Sequence, residues 1–165
     1  MCIREVLQSR QVCFEWFLHR PVPGATRFAQ SIHEPGRRVA KGVLVRAGDS
    51  YVLAVLPATT RIDPAKLAEI LNAAELRIAT EDEVGRIFRD CERGALPPFG
   101  HVYGLPTVVD EGLAEGERIV CVGNQRHEAL RLSFADYLAI EHPLVSRFAI
   151  PTARPDGHAA HRRAG

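Results

Sequence analysis

Residues 38–57 read Arg38-Val39-Ala40-Lys41-Gly42-Val43-Leu44-Val45-Arg46, then Ala47-Gly48-Asp49-Ser50, then Tyr51-Val52-Leu53-Ala54-Val55-Leu56-Pro57. Two runs rich in β-branched and aliphatic residues flank a polar break at 47–50. That pattern predicts an antiparallel hairpin, with strands over 39–46 and 51–56 and a four-residue loop. Side chains alternate faces along a strand. Val39, Lys41, Val43 and Val45 therefore share one face, and Ala40, Gly42, Leu44 and Arg46 the other. An ammonium in a row of valines is costly to bury without a partner. Two readings follow for Lys41. Its stem can lie on apolar surface with the head reaching water at the strand end, or the ammonium is aimed into a pocket to hold an anion such as a phosphate.

Upstream of the hairpin, Ile3, Val6 and Leu7 have helical spacing over 3–9. Phe14, Trp16 and Leu18 alternate as a strand over 12–18. Pro21, Pro23 and Gly24 make a turn, and a short helix over 26–33 stops at Pro35-Gly36. Downstream, Asp63-Pro64 supplies an N-cap and a first-turn proline for a helix to Leu71. A short strand covers 76–79. Thr80-Glu81-Asp82-Glu83 is a capping box for a helix to Phe88. Residues 94–104 form a glycine- and proline-rich loop, and strands are expected at 107–109 and 118–122. Ser133 caps a last helix over 134–140, with Asp136 three residues on. The expectation is one mixed α/β (α+β) domain over 1–150, with about six strands and four or five helices, and a disordered tail over 151–165.

Composition narrows the function classes. The chain has 165 residues, 46% hydrophobic and 25% charged, which suits one globular domain with a single core. A formal net charge of +1 is low for a protein that neutralises many phosphates, so any RNA contact is expected to be short or local. The N-terminus becomes charged at once, and no apolar run approaches the ~20 residues of a membrane span. The expected compartment is the cytoplasm, without membrane association. Cys2, Cys13, Cys91 and Cys121 form no CxxC pair, and the seven histidines lack metal-ligand spacing. No metal and no cofactor is expected. No GxSxG, HExxH, Walker loop or GxGxxG occurs. Chemistry done here is expected to work by positioning and polarisation rather than by a covalent nucleophile.

Two further segments are candidates for a site. In Gly94-Ala95-Leu96-Pro97-Pro98-Phe99-Gly100 the prolines stiffen the chain and the glycines permit close backbone approach. Such a loop can aim N–H groups at a developing oxyanion, or serve only as a rigid connector. Gly123-Asn124-Gln125-Arg126-His127 follows the apolar strand 118–122, a common place for a ligand loop. His127 there either orients a water or substrate or is an ordinary surface histidine.

These segments, in this order, resemble the YbaK/ProX family of aminoacyl-tRNA deacylases, related to the editing domain inserted in bacterial prolyl-tRNA synthetases. The likeness runs over roughly 3–142. It rests on Arg38-Val39-Ala40-Lys41, the strand 51–57, Gly94 to Gly100, Gly104-Leu105-Pro106 with Asp110, and Gly123 to His127 before Leu130-Arg131-Leu132-Ser133 and Asp136. It implies a mixed fold with a curved central sheet surrounded by short helices, and a pocket for the aminoacyl end of tRNA. By resemblance Lys41 engages the terminal adenosine and its phosphate. Gly100 and His127 join it as catalytic candidates, and Gly94, Pro98, Phe99, Gly123 and Asn124 line the pocket. The implied activity is trans-acting hydrolysis of mischarged aminoacyl-tRNA, with a synthetase as a possible partner. A size-limited pocket would set selectivity. The amino acid removed stays open among alanine, serine, cysteine, threonine and non-protein amino acids. The alternative is a non-catalytic module that binds tRNA ends or a synthetase; a structural reuse of the fold would pair Lys41 with a carboxylate.

Overall fold

The computed structural model describes residues 2–152. The expected hairpin is present as β2 (Ala40–Ala47) and β3 (Ser50–Pro57), in antiparallel register from Ala40 opposite Pro57 to Ala47 opposite Ser50. The loop is tighter than the four residues expected. Ala47 and Ser50 pair, so only Gly48 and Asp49 turn the chain, and Gly48 at φ +60° takes the first central position that a type II′ turn reserves for glycine.

The hairpin is the middle of a five-stranded mixed sheet. β5 (Leu76–Ile78) runs antiparallel to β2, while β6 (Thr107–Asp110) and β9 (Leu144–Ser146) add in parallel beyond β3, giving the order β5-β2-β3-β6-β9. A second, antiparallel sheet has the order β1-β8-β7, from β1 (Phe14–Leu18), β7 (Arg118–Val122) and β8 (Glu128–Ser133). β4 (Thr60–Ile62) pairs with β10 (Ala149–Pro151). A parallel bridge from Val39 to Val120 joins the first two sheets where β2 begins. Among the described residues, ten strands replace the roughly six expected. The tail expected from 151 begins inside β10, and Thr152 donates its N–H to the Thr59 carbonyl. Residues 153–165 of that expected tail lie outside the described residues.

Among the described residues, five α-helices surround the sheets. α1 (Ile3–Ser9) buries Ile3 and Leu7, and α2 (Ala25–Ser31) buries Phe28 and Ala29. α3 (Pro64–Ile70) starts where Asp63 accepts from the Lys66 N–H. α4 (Glu81–Ile87) carries the full Thr80/Glu83 capping box, and α5 (Phe134–Glu141) starts at Ser133, which accepts from the Asp136 N–H. Such caps each stabilise by about 1 kcal/mol.

β3 is buried on both faces. Leu53 and Val55 pack with Leu44, Phe88, Phe99, Leu130 and Tyr137, while Val52, Ala54 and Leu56 pack with Val45, Leu67, Val108 and Phe148. A third, smaller cluster joins Phe28 and Ala29 to Val39, Ala58, Val120 and Ala129. It fixes α2 over the junction of the two larger sheets. Asp110, 5% exposed, secures the far edge: one carboxylate oxygen accepts from the Phe148 and Ala149 N–H groups at 2.9 and 2.8 Å, the other from Gly112 at 2.9 Å. Leaving a buried donor unpaired costs about 1–3 kcal/mol. Asp110→Ala is therefore expected to lower unfolding stability by about 3 kcal/mol or more, read from the urea midpoint; a shift under 1 kcal/mol would remove Asp110 as the anchor.

Candidate functional site

β5 pairs only with Val45, Arg46 and Ala47, and the Ala79 N–H with the Leu44 carbonyl. The first half of β2 is left with an open edge. Backbone groups of alternate residues face the same edge of a strand. Leu44 and Arg46 face β5, so the N–H and C=O of Gly42 point out of the open edge. A cleft of about 220 Å³ lies there. Ala40, Lys41 and Gly42 form its floor, Phe28 and Ala25 of α2 one wall, Gly94 and Leu96 another, and Val122 and Arg126 close it.

The sequence places each wall for a local reason. Gly24, at φ +80°, turns the chain into α2, which lays Phe28 against the cleft. Gly94 sits at φ +90°, a backbone conformation unfavourable for any residue with a Cβ. A Cβ on Gly42 would come within 3.3 Å of the Leu96 carbonyl and of Leu53, so glycine there lets the 94–96 segment close on the strand. No acceptor within the described residues takes the N–H of Gly94 or Leu96.

Lys41 is half-buried, and its ammonium donates to the Thr60 carbonyl. No carboxylate lies within ion-pair distance of it among the described residues. Burial lowers its pKa below the ordinary lysine value. A desolvated cation with only a carbonyl partner gains most from an incoming anion. Arg126 stands opposite: its side chain passes 3.5 Å from where a Cβ on Gly94 would be, its backbone N–H donates to a Glu92 carboxylate oxygen at 2.8 Å, and its guanidinium forms no ion pair among the described residues.

The other expected site residues are placed elsewhere. Phe99 is fully buried and meets the Tyr137 ring edge-on at 5.5 Å, and the Pro98 carbonyl accepts from the Tyr137 hydroxyl at 2.8 Å. Gly100 is buried where a Cβ would collide with Thr107 and approach Leu53. Gly123 is glycine because a Cβ would lie 2.9 Å from the Glu128 carboxylate. Asn124 is 5% exposed; it accepts from the Ile3 N–H at 2.7 Å, fixing the start of α1, and donates to the Tyr103 hydroxyl and Cys91 sulfur. His127 is exposed and its carbonyl accepts from the His19 N–H. The structure thus brings Lys41 and Gly94 together at the cleft. It sets Pro98, Phe99, Gly100, Gly123 and Asn124 behind it as packing elements, with His127 outside. Burial raises the thiol pKa of Cys91 and Cys121, so neither is poised as a thiolate. No cluster of His, Cys, Asp and Glu among the described residues could hold a metal.

Residues 19–140 match the model of the aminoacyl-tRNA editing domain. The chain belongs to that family. Within it, a 99-residue stretch is 29% identical to the proline–tRNA ligase of Lactobacillus gasseri, covering 60% of this chain and 17% of the ligase. A 92-residue stretch is 32% identical to that of Thiobacillus denitrificans, covering 55% and 16%. The chain thus corresponds to about a sixth of the length of these relatives. Among solved structures, a candidate trans-editing enzyme for prolyl-tRNA synthetase superposes with a TM-score of 0.75 at 21% identity, over 90% of this chain and 94% of that one. A hypothetical protein superposes with a TM-score of 0.81 at 17% identity, over 90% and 99%. The editing-domain fold expected from the sequence is therefore present. No described helix is long and apolar enough to cross a membrane.

Behind the cleft of this editing domain lies a carboxyl that sequence reasoning missed. Glu141, 3% exposed, accepts from the His101 N–H at 2.8 Å and from the Thr107 hydroxyl, and so ties α5 to the 3-10 turn Gly100–Tyr103. Its other oxygen has no hydrogen-bond partner among the described residues. Burial raises its pKa to about 7, against the hydrogen bonds that favour the charged form. A raised carboxyl pKa means the folded state holds the proton longer than the unfolded chain. The stability this confers is complete below the ordinary value of 4.5 and is lost as pH rises through about 7. Glu141→Gln should flatten that dependence: the wild-type melting temperature falls more than the variant's between pH 5 and 8. Parallel pH profiles would show that Glu141 does not carry it.

Proposed function

We propose that this editing domain hydrolyses the ester of mischarged aminoacyl-tRNA, acting in trans. The observation that carries it is Lys41: a half-buried ammonium without a carboxylate partner, at the floor of a cleft walled by unpaired backbone N–H groups. A structural ion pair at Lys41, which a reuse of the fold without a site would favour, is absent among the described residues.

The chemistry asks little of side chains, because the ester between an amino acid and a ribose hydroxyl is already activated. A water attacks the carbonyl carbon. The carbonyl oxygen becomes an oxyanion as the new C–O bond forms. The bond to the ribose oxygen then breaks, and that oxygen takes the proton released by the nucleophile. Lys41 anchors the terminal phosphate and holds the ester in place, the orientation contribution to catalysis. The Gly94 and Leu96 N–H groups are the oxyanion donors in this scheme. The wall of Val22, Ala25 and Phe28 bounds the amino-acid side chain, and its small volume favours small residues. Arg126 adds positive charge at the mouth. Cytoplasmic tRNA is the substrate pool this reading requires, and a synthetase can supply it.

Turnover on a panel of alanyl-, seryl-, threonyl- and cysteinyl-tRNAs of non-matching identity tests the proposal. The wild type should accelerate ester loss for some pairs. Lys41→Ala should lower kcat/KM by about 100-fold while keeping its melting temperature. Gly94→Ala, which forces a Cβ into a φ +90° position, should lower it at least about tenfold through displaced donors. No acceleration on any pair sinks the deacylase; full rates in both variants sink the site.

A further inference from the structure

The wall of the cleft also has an outer side. Val22, Ala25, Phe28, Val39 and Ala40, which line the cleft, all come from one stretch, residues 20–41. That stretch carries Arg20, Arg27, Arg37, Arg38 and Lys41 against a single acid, Glu34. The rest of the chain holds sixteen lysines and arginines against nineteen aspartates and glutamates. A chain near neutrality thus concentrates its positive charge in the wall of its candidate site. Glu34 does not offset it locally, because its carboxylate accepts from Arg131 of β8. A second hollow, of about 470 Å³, lies across β2 with Lys41 and Arg61 at its rim, but its floor of Val45 and Leu56 is core rather than open surface.

The geometry gathers these cations around the mouth of the cleft. The His19 N–H donates to the His127 carbonyl at 2.9 Å, so Arg20 and Arg126, one residue beyond on each strand, leave the end of the β1–β8 pair side by side. The His19 ring meets Phe28 edge-on at 4.8 Å and roots that end on α2. Arg27 is exposed on α2, whose Phe28 and Ala29 are buried, and Arg37 is exposed on the 3-10 turn Gly36–Arg38 packed beside that helix. None of these four side chains forms an ion pair among the described residues. Arg38 stands apart from them, with its side chain along Gly116.

We infer that the outer surface of this wall docks an RNA duplex, with stem phosphates on Arg20, Arg27, Arg37 and Arg126 and no base read. This rests on the deacylase reading only for the kind of polymer presented. A polymer whose end lies in the cleft leaves it across the wall, so the stem behind that end meets these arginines. Double-stranded nucleic acid carries a phosphate charge about every 1.7 Å of its axis. Arginines spread over a strand end, a helix and a turn can each find one without a matched geometry, whereas an acidic protein would need carboxylates placed to fit the same spread. Contacts to phosphates position a partner without reading its sequence. The stem is therefore gripped whatever its identity, and discrimination is left to the amino acid in the cleft. A low net charge is enough, because only a few phosphates are met.

The test reads binding rather than turnover. A fluorescent, blunt-ended RNA hairpin with no single-stranded 3′ end is titrated with the full chain by anisotropy, beside a second hairpin of unrelated stem sequence. Both should bind, and equally. Arg27→Ala combined with Arg37→Ala should weaken binding by about tenfold or more and lower the slope of log K against log salt by about 1.8, two duplex phosphate contacts at about 0.9 each. Arg10→Ala combined with Arg86→Ala removes the same charge from α1 and α4 and should leave both quantities near the wild-type values. All four positions are exposed, so both variants keep the fold. Hairpins that do not bind, a loss in the wall variant no greater than in the control, or a marked preference for one stem overturns the inference. Wall-dependent binding by a chain that deacylates nothing retains it and sinks the deacylase. Deacylation with hairpin affinity blind to Arg27 and Arg37 does the reverse.

Discussion

β2 is an interior strand for half its length and an edge strand for the other half, and the candidate cleft exists because of that asymmetry. Where β5 pairs, from Leu44 to Ala47, the strand is closed. Between the Val39–Val120 bridge and Leu44, no strand pairs with its outer edge among the described residues, and the Gly42 backbone groups face a cleft. An open edge is ordinarily a liability that invites pairing with another chain. Here α2 and the 94–96 segment flank it, so only a narrow ligand reaches it. The parallel bridge from Val39 to Val120 and the small cluster around Phe28 hold those flanks in place. Lys41 follows from the same geometry. It sits on the strand where the pairing stops, so its stem is packed and its head meets two cavities rather than a neighbouring strand.

Strong local signals made much of this fold legible in the sequence. The two aliphatic runs around Gly48-Asp49, the Asp63-Pro64 start, the Thr80/Glu83 box and the Ser133 cap each fix an element within a residue or two. What stayed hidden has physical reasons. β4, β9 and β10 are three residues long, too short for any periodicity to register. β8 was masked because Ala129, Leu130 and Leu132 are all buried, between β1 and β7, so only Arg131 breaks an otherwise apolar run. Its role as the centre of a sheet is a tertiary fact, set by partners more than 100 residues away in the case of β1.

The site was half legible. Alternation along one strand picked out Lys41, because a charge in an apolar row is a local contradiction that the sequence displays. Glycine was a poorer guide. Gly94 is glycine for a backbone conformation at the cleft, whereas Gly100 and Gly123 are glycine because Thr107 and Glu128 crowd them. A sequence shows the same letter for both causes. Asn124 looked like a ligand residue for its position after a buried strand, yet its amide is used to hold α1. Arg126 lay inside the quoted loop without standing out, since an exposed arginine is common. Glu141 followed a regular helical run, and only the approach of Thr107 and His101 marks it as buried.

The net charge of the whole chain and the charge around the candidate site point in different directions. A net charge of +1 argues against an extended nucleic-acid interface. The balance is not uniform, however. Glu81, Asp82 and Glu83 gather on α4, where Arg77 and Arg93 engage them, while the side chains of Lys41, Arg61 and Arg126 border the two hollows without an ion pair among the described residues. Charges within about 8–10 Å of a ligand dominate its energy at physiological salt, and those beyond are screened. Under the proposed function the chain grips only one end of a large RNA, and that needs cations at one place, not in excess. The proposed scheme also needs no nucleophilic side chain at the cleft. With the ester supplied in activated form, a fixed cation and amide groups would be enough for it, and the cleft that holds them is left open because the β5 pairing ends three residues after Lys41.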